Sequence, residues 1–269
     1  IVNIELMSSI LFGYYDWETN YSTQMKIRDM SDDVSRIDDL CAVEIHVMWI
    51  KLRKNKVVSI EIAKETIRDW IYFGMKIVKA GDADRLIAGA INATANTLRT
   101  ALQILKAKKG TKVLSSFFIM CVPDCEYGSN GTFAFGDCAL MVDPSADELS
   151  EIAIATADSF KTLIGEEPVV GMLSFSTLGS GKAEYTEKVV TATKLAKEKA
   201  PSLSIEGELQ LDAAIVPKVG AQKAPNSECA GKANVLIFPD LNSGNIGYKL
   251  TQRLAKAEAY GPILAGIAK

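Results

Sequence analysis

The chain has 269 residues, 48% of them hydrophobic and 23% charged, with a formal net charge of -3 at pH 7. That is an ordinary globular composition, long enough for one large or two moderate domains. The mildly acidic balance argues against a nucleic-acid binder, which asks for a basic surface. No apolar run approaches the length of a membrane span.

The first residues carry apolar patches at 1–6 and 10–15, but Glu5 and Asp16 fall among them and no basic region leads them, so a secretory signal is not expected. The chain opens on Ile1 rather than Met, which reads as a processed start or a fragment. Residues 1–50 show no clear period. The region 60–80 does: Ile62, Ile67, Ile71, Met75 and Val78 recur at helical spacing, and Gly81 stops the helix. A short apolar strand is predicted over 86–90, then a helix over 94–108 ending at Gly110.

The apolar run 115–122, the Asn130-Gly131 turn signal and the run 132–142 predict a β-hairpin. Pro144-Ser145 opens a helix in which Ser145 and Glu148 have capping-box spacing, and Gly165 ends it. Strands follow over 169–175, 205–212 and 235–239, with helices over 184–199 and 245–258. This alternation predicts an α/β fold with a largely parallel sheet. A boundary near Gly110 divides the chain into domains 1–110 and 111–269, the second containing the hairpin near 115–142.

The odd number of cysteines (Cys41, Cys121, Cys125, Cys138, Cys229) reads as reduced thiols in a cytoplasmic protein. Cys121 and Cys125 lack zinc-knuckle spacing, and with His46 as the one histidine no metal site is expected. A Ser-His-Asp or Cys-His arrangement would have to use His46, which lies in the least patterned part of the chain, and it is not favoured.

Thr177-Leu178-Gly179-Ser180-Gly181 sits between a predicted strand and a predicted helix. Its small residues could expose backbone N–H groups to an anion at the helix start, or simply make a tight turn. A P-loop is excluded, because Ser176 and Ala183 stand where that pattern needs a glycine and a hydroxyl. In 205–212, Glu206, Glu208, Gln210 and Asp212 share one face of a strand. They could line a cleft, but alternation by itself favours the solvated face of an edge strand. Arg99 lies on a helix that Thr94 can cap. A surface ion pair is the default reading, and a guanidinium holding a phosphate or carbonyl oxygen is the functional one. Arg53 belongs to a basic cluster over 51–56 that reads as a solvated face.

Several ordered segments carry a resemblance. They are Gly207-Glu208-Leu209-Gln210-Leu211-Asp212-Ala213-Ala214, Lys223-Ala224-Pro225, Ala230-Gly231-Lys232-Ala233-Asn234-Val235, Phe238-Pro239-Asp240-Leu241 and Gly244-Asn245-Ile246-Gly247-Tyr248-Lys249. Upstream, Leu173-Ser174-Phe175-Ser176-Thr177, Gly179-Ser180-Gly181-Lys182, Phe135-Gly136-Asp137-Cys138 and Leu98-Arg99 fit as well. Densely from residue 72 to 269, the sequence resembles the phosphate acetyltransferases.

The resemblance implies two α/β domains of the isocitrate/isopropylmalate dehydrogenase type with a cleft between them, assembled as a homodimer. It implies reversible transfer of an acetyl group between coenzyme A and inorganic phosphate, with coenzyme A as substrate and no metal or permanently bound cofactor. No nucleic-acid or membrane partner is expected. It assigns catalytic roles to Arg99, by its place in Thr97-Leu98-Arg99, and more loosely to Arg53. Thr94, Ser176, Thr177, Gly179, Ser180, Gly181, Lys223 and Asn245 become substrate-binding residues. Phosphate butyryltransferases are a sister group, although the wording of 207–223 is closer to the acetyl enzymes.

There are departures. Arg85, Asn92, Ala93, Asn96 and Thr100 stand where the family tends to have Gly, His, Ser, Asp and Pro. The family's opening strand has no match, and its Ser-Arg segment and proposed thiol base would follow Lys269. From this the 269-residue polypeptide is expected to turn over little, and a non-catalytic relative that binds coenzyme A or a partner chain is the alternative.

Overall fold

The computed structural model describes residues 66, 69–81, 83–88, 94–108 and 113–268, with only the backbone described at Ala80, Thr94 and Ala95. The chain divides into two units, Ile1–Leu105 and Lys106–Lys269.

In the first unit, α1 (Trp70–Ala80) starts where the Asp69 side chain accepts hydrogen bonds from Ile71 N and Tyr72 N, and stops at Gly81 with φ 90°. Its periodic residues Ile71, Met75 and Val78 are buried, as are Ala101 and Ile104 of α2 (Thr94–Ile104). The Tyr72 hydroxyl donates to Gln103 Oε1 at 2.6 Å and ties the two helices. Residues 86–88 form no strand, contrary to expectation. Leu86 instead packs on α1, where a Cβ at Gly74 would sit 2.6 Å from its Cδ1. The expectations for residues 1–65, including His46 and Arg53, lie outside the described residues.

The second unit contains β1 (Ser115–Cys121), β2 (Thr132–Gly136), α3 (Ala146–Ile164), β3 (Val169–Leu173), α4 (Glu184–Lys199) and β4 (Ser204–Leu209). Then come α5 (Leu211–Ile215), α6 (Pro217–Lys223), β5 (Val235–Ile237), α7 (Leu241–Leu254) and β6 (Glu258–Ala265). They build a six-stranded sheet in the order β4-β3-β5-β2-β1-β6. Strands β4, β3, β5 and β2 run parallel, and β1 is antiparallel to both its neighbours.

Alternate strand residues serve opposite faces. Phe117, Ile119, Val170, Met172 and Ile237 pack with Leu149, Ile152, Phe160, Val189 and Ala192 of α3 and α4. Phe118, Met120, Phe135, Leu173 and Leu236 pack on the other face with Ala214, Ala224 and Tyr248. Burial on both faces explains why these strands read as continuous apolar runs.

Helix α2 ends at Ile104 rather than near residue 108, and the strand expected over 205–212 ends at Leu209 and gives way to α5; β2, α7 and β6 also depart from their sequence expectation. The hairpin turn forms at Asn130 and Gly131, with φ 49° and 83°, as a primed turn requires. However, β2 ends at Gly136 rather than running to residue 142, because Asp137 gathers the following backbone around its carboxylate. Helix α7 begins at Leu241, earlier than expected, because Asp240 caps it by accepting from Ser243 N at 2.8 Å. It ends at Leu254, and the stretch after it forms the unanticipated β6, which tolerates Gly261 and Pro262 because it is an edge strand.

Candidate active site

The parallel strands β4, β3, β5 and β2 deliver their connecting loops to one end of the sheet, the usual place for ligands in α/β sheets. Most of the segments singled out in the sequence meet there.

After β3 the pairing with β4 continues for one bond, Ser174 N to Leu209 O at 2.8 Å. The chain then folds over Glu208. The register between β3 and β4 shifts here, so that Met172 faces Gly207 but Leu173 faces Leu209. Glu208 is thereby released from the ladder. Its neighbour Leu209 enters the apolar core, while its own carboxylate turns into the 174–181 loop with 2% of its surface exposed.

Glu208 Oε1 accepts from Ser176 Oγ at 2.8 Å and from Gly179 N at 2.7 Å. Glu208 O accepts from Leu178 N at 3.0 Å, and Ser180 N bonds to Thr177 O at 3.1 Å. Thr177 N donates to Ser180 Oγ at 2.9 Å, and Gly181 N to Ser176 Oγ at 2.8 Å. Every backbone N–H from Thr177 to Gly181 is thus committed to an acceptor within the chain. At the start of α4, Ala183 N donates to Thr186 Oγ1 at 3.0 Å, and the first turn carries Glu184 and Glu187. Of the two readings of this loop, the backbone geometry matches the tight turn. The amides of 177–181 are therefore not free to meet a substrate anion.

The polar residues of 205–212 do not stay on one face. Glu206 pairs with Lys197 of α4 at 2.9 Å, and Glu208 is buried. Gln210 leaves the strand: its N–H donates to Thr177 Oγ1 at 3.0 Å, and the Thr177 hydroxyl donates to its Oε1 at 3.3 Å. Lys223 Nζ then bridges Gln210 Oε1 at 2.9 Å and Asp212 Oδ2 at 2.8 Å. The Lys223 contact holds the Asp212 carboxyl below its ordinary value. β4 is an edge strand, as the alternation suggested, but of its two acidic side chains Glu208 is buried and Glu206 is paired with Lys197.

Ser176, Thr177, Gly179, Ser180, Gly181 and Lys223 therefore form one connected cluster. Asn245 is placed elsewhere at the same end: its Nδ2 donates to Cys138 O at 3.1 Å, on the turn held by Asp137. Arg99 is exposed on α2 in the first unit, and Thr94 is the first residue of that helix. Sequence reasoning missed two buried carboxylates. For Glu208, alternation by itself favoured the solvated face of an edge strand over a cleft lining, and neither reading is a carboxylate buried in a loop. Asp137 was noted only within a resemblance, yet it accepts from Ser116 N at 3.0 Å, Ser116 Oγ at 2.6 Å, Ala139 N at 2.8 Å, Leu140 N at 3.0 Å and Met141 N at 3.3 Å.

Burial raises the Cys229 thiol to about 11 and drives the Cys138 thiol up further, and it also raises Cys121. None of these thiols is an activated nucleophile. Among the described residues no cluster of His, Cys, Asp and Glu is arranged to hold a metal ion, and no helix is long and apolar enough to cross a membrane.

The sequence profile of one family, Phosphate acetyl/butaryl transferase, matches residues 2–269. The chain belongs to this family. It is 64% identical over 219 residues to a phosphate acetyltransferase of Acetivibrio thermocellus, an alignment covering 81% of this chain and 66% of that protein. A phosphate acetyltransferase of Thermoanaerobacterium thermosaccharolyticum is 59% identical over 219 residues, covering 81% and 67%. The chain thus spans about two thirds of the length of the curated relatives it matches. The crystal structure of a phosphotransacetylase from Streptococcus pyogenes superposes with a TM-score of 0.76 at 45% identity, covering 85% of this chain and 68% of that one. The EutD phosphotransacetylase from Staphylococcus aureus gives 0.75 at 43% identity, covering 84% and 67%. The mixed α/β fold with its six-stranded sheet therefore matches these phosphotransacetylase structures.

Proposed function

We propose that the protein is a cytoplasmic phosphate acetyltransferase, acting on coenzyme A, acetyl phosphate and inorganic phosphate as a homodimer. Its finer architecture is two α/β domains of the isocitrate/isopropylmalate dehydrogenase type. The observation that carries the reading is the 64% identity over 219 residues to a phosphate acetyltransferase. The further relatives named above are also acetyl enzymes, which favours acetyl over butyryl transfer.

In the direction of acetyl-CoA, the thiolate of coenzyme A bonds to the carbonyl carbon of acetyl phosphate. The bond from that carbon to the phosphate oxygen breaks, and inorganic phosphate leaves. The thiol proton goes to a base, since a free thiol near pKa 8.5 is mostly protonated at neutral pH. Burial raises the thiols of Cys138 and Cys229, which disfavours either as the carrier of an acyl-cysteine intermediate and favours direct transfer. Arg99, exposed on its helix, is the group we assign to the oxyanion or the phosphate, with Arg53 as a second cation. Thr94, Ser176, Thr177, Gly179, Ser180, Gly181, Lys223 and Asn245 are assigned to the substrate site. For the glycines and Ser176 this means shaping the loop, and for Ser180 and Lys223 it means offering side chains.

The test is acetyl-CoA formation from acetyl phosphate and coenzyme A, together with calorimetric titration of coenzyme A. Arg99→Ala should lower turnover by about 10²–10³-fold, as expected for removal of one oxyanion donor. An unchanged rate would take Arg99 out of the site. Coenzyme A binding without turnover would leave the non-catalytic relative as the reading, and absence of both would overturn the acyltransferase assignment.

A further inference from the structure

We propose that Glu208 is a positioning residue: its buried carboxylate holds the 176–181 loop in the single shape that receives coenzyme A and phosphate. This rests on the function proposed above. Glu208 does not touch the reacting atoms. It acts through the loop.

The case starts from the burial itself. A carboxylate with 2% of its surface exposed is costly unless it is fully used. The neighbouring Leu209 shows that the end of β4 can be served by apolar packing. Glu208 Oε1 accepts from two groups on one loop, Ser176 Oγ at 2.8 Å and Gly179 N at 2.7 Å. Its backbone oxygen takes Leu178 N, so one residue grips successive amides.

What is gripped is strained. Leu178 has φ 46°, a left-handed conformation that leucine rarely adopts. Such strain persists only where the surroundings over-determine it, and it concentrates at binding sites. The grip also has an outward consequence. Phe175 and Leu178 are 60% and 49% exposed, although Ser176 and Thr177 between them are buried. The clamp turns apolar side chains out and hydroxyls in. With the amides of 177–181 consumed, this stretch meets substrate through side chains such as these and Ser180, and their placement depends on Glu208.

The test compares the unaltered chain with Glu208→Gln and Glu208→Ala. Three readouts are used: calorimetric binding of coenzyme A, KM and kcat for acetyl-CoA formation, and amide hydrogen exchange at Leu178 and Gly179. Glutamine keeps an acceptor at Oε1, so it should keep slow exchange and bind coenzyme A within about threefold of the parent chain. Alanine removes the acceptor. It should speed exchange at Gly179 and weaken coenzyme A about tenfold or more, with KM moving more than kcat. Alanine with fast exchange but unchanged affinity and KM would overturn the proposal. Should the alanine variant not fold, glutamine decides by itself. A loss of about tenfold with Gly179 still protected would mean that charge acts, not position, and would equally overturn it. A parent chain that neither binds coenzyme A nor makes acetyl-CoA sinks the acyltransfer reading instead, while its exchange data still report whether the clamp exists.

Discussion

Asp137 and Glu208 are both carboxylates inside the second unit, and each is paid for by hydrogen bonds from a loop that would otherwise be irregular. Asp137 stops β2 and shapes the turn on which α7 rests, where a Cβ at Gly244 would lie 2.3 Å from Asp137 O. Its acceptors face only donors. Asp137→Asn puts an amide NH₂ against them, and the expected cost is about 3 kcal/mol in denaturant unfolding, the range for a disrupted charged hydrogen-bond set. A change under about 0.5 kcal/mol would show that the turn is held by other means. At this scale the sequence was least legible. Acidic residues in an alternating strand read as solvent-facing, and only the register shift beside Leu173 inverts that for Glu208.

At the scale of elements, local signals carried further. Helix α3 begins and ends where its capping chemistry predicts: Ser145 and Glu148 bond reciprocally, and Gly165 closes the helix with φ 81°. Hydrogen bonds from Ser145 lower the Glu148 pKa from 4.5. A depressed carboxylate pKa gives stability that is present above the unfolded value and lost as pH falls through the folded one. Ser145→Ala should therefore cost about 1 kcal/mol at pH 7, and less at an acidic pH below the folded-state pKa, where Glu148 is protonated in either form. Equal costs at both pH values would remove the carboxylate from the box. The hairpin turn at Asn130-Gly131 was equally readable, because its positive φ angles are a property of those residues. Strand β6 was not readable. Gly261 and Pro262 argue against a strand unless it is known to lie at an edge, and edge position follows from how the sheet assembles.

For the molecule as a whole, the second unit is a three-layer α/β arrangement with its candidate chemistry gathered at one end of the parallel strands. Cys138 and Cys229 are buried within it, 0% and 6% exposed. Their reaction with a thiol reagent at pH 8 should be slow in the native protein and should rise along the unfolding transition seen by circular dichroism. Fast labelling of Cys138 in native buffer would contradict the packing described. The sequence by itself determined the α/β class, the family, most helices of the second unit and the hairpin, because each depends on short-range periodicity, capping or an ordered set of motifs. Only the tertiary structure decided what the loop amides bind, which carboxylates are buried, and that Gln210, Asp212 and Lys223 form one cluster. Those outcomes depend on which strand lies beside which and in what register, and no local pattern encodes a bond between residues that meet only when β3 and β4 align.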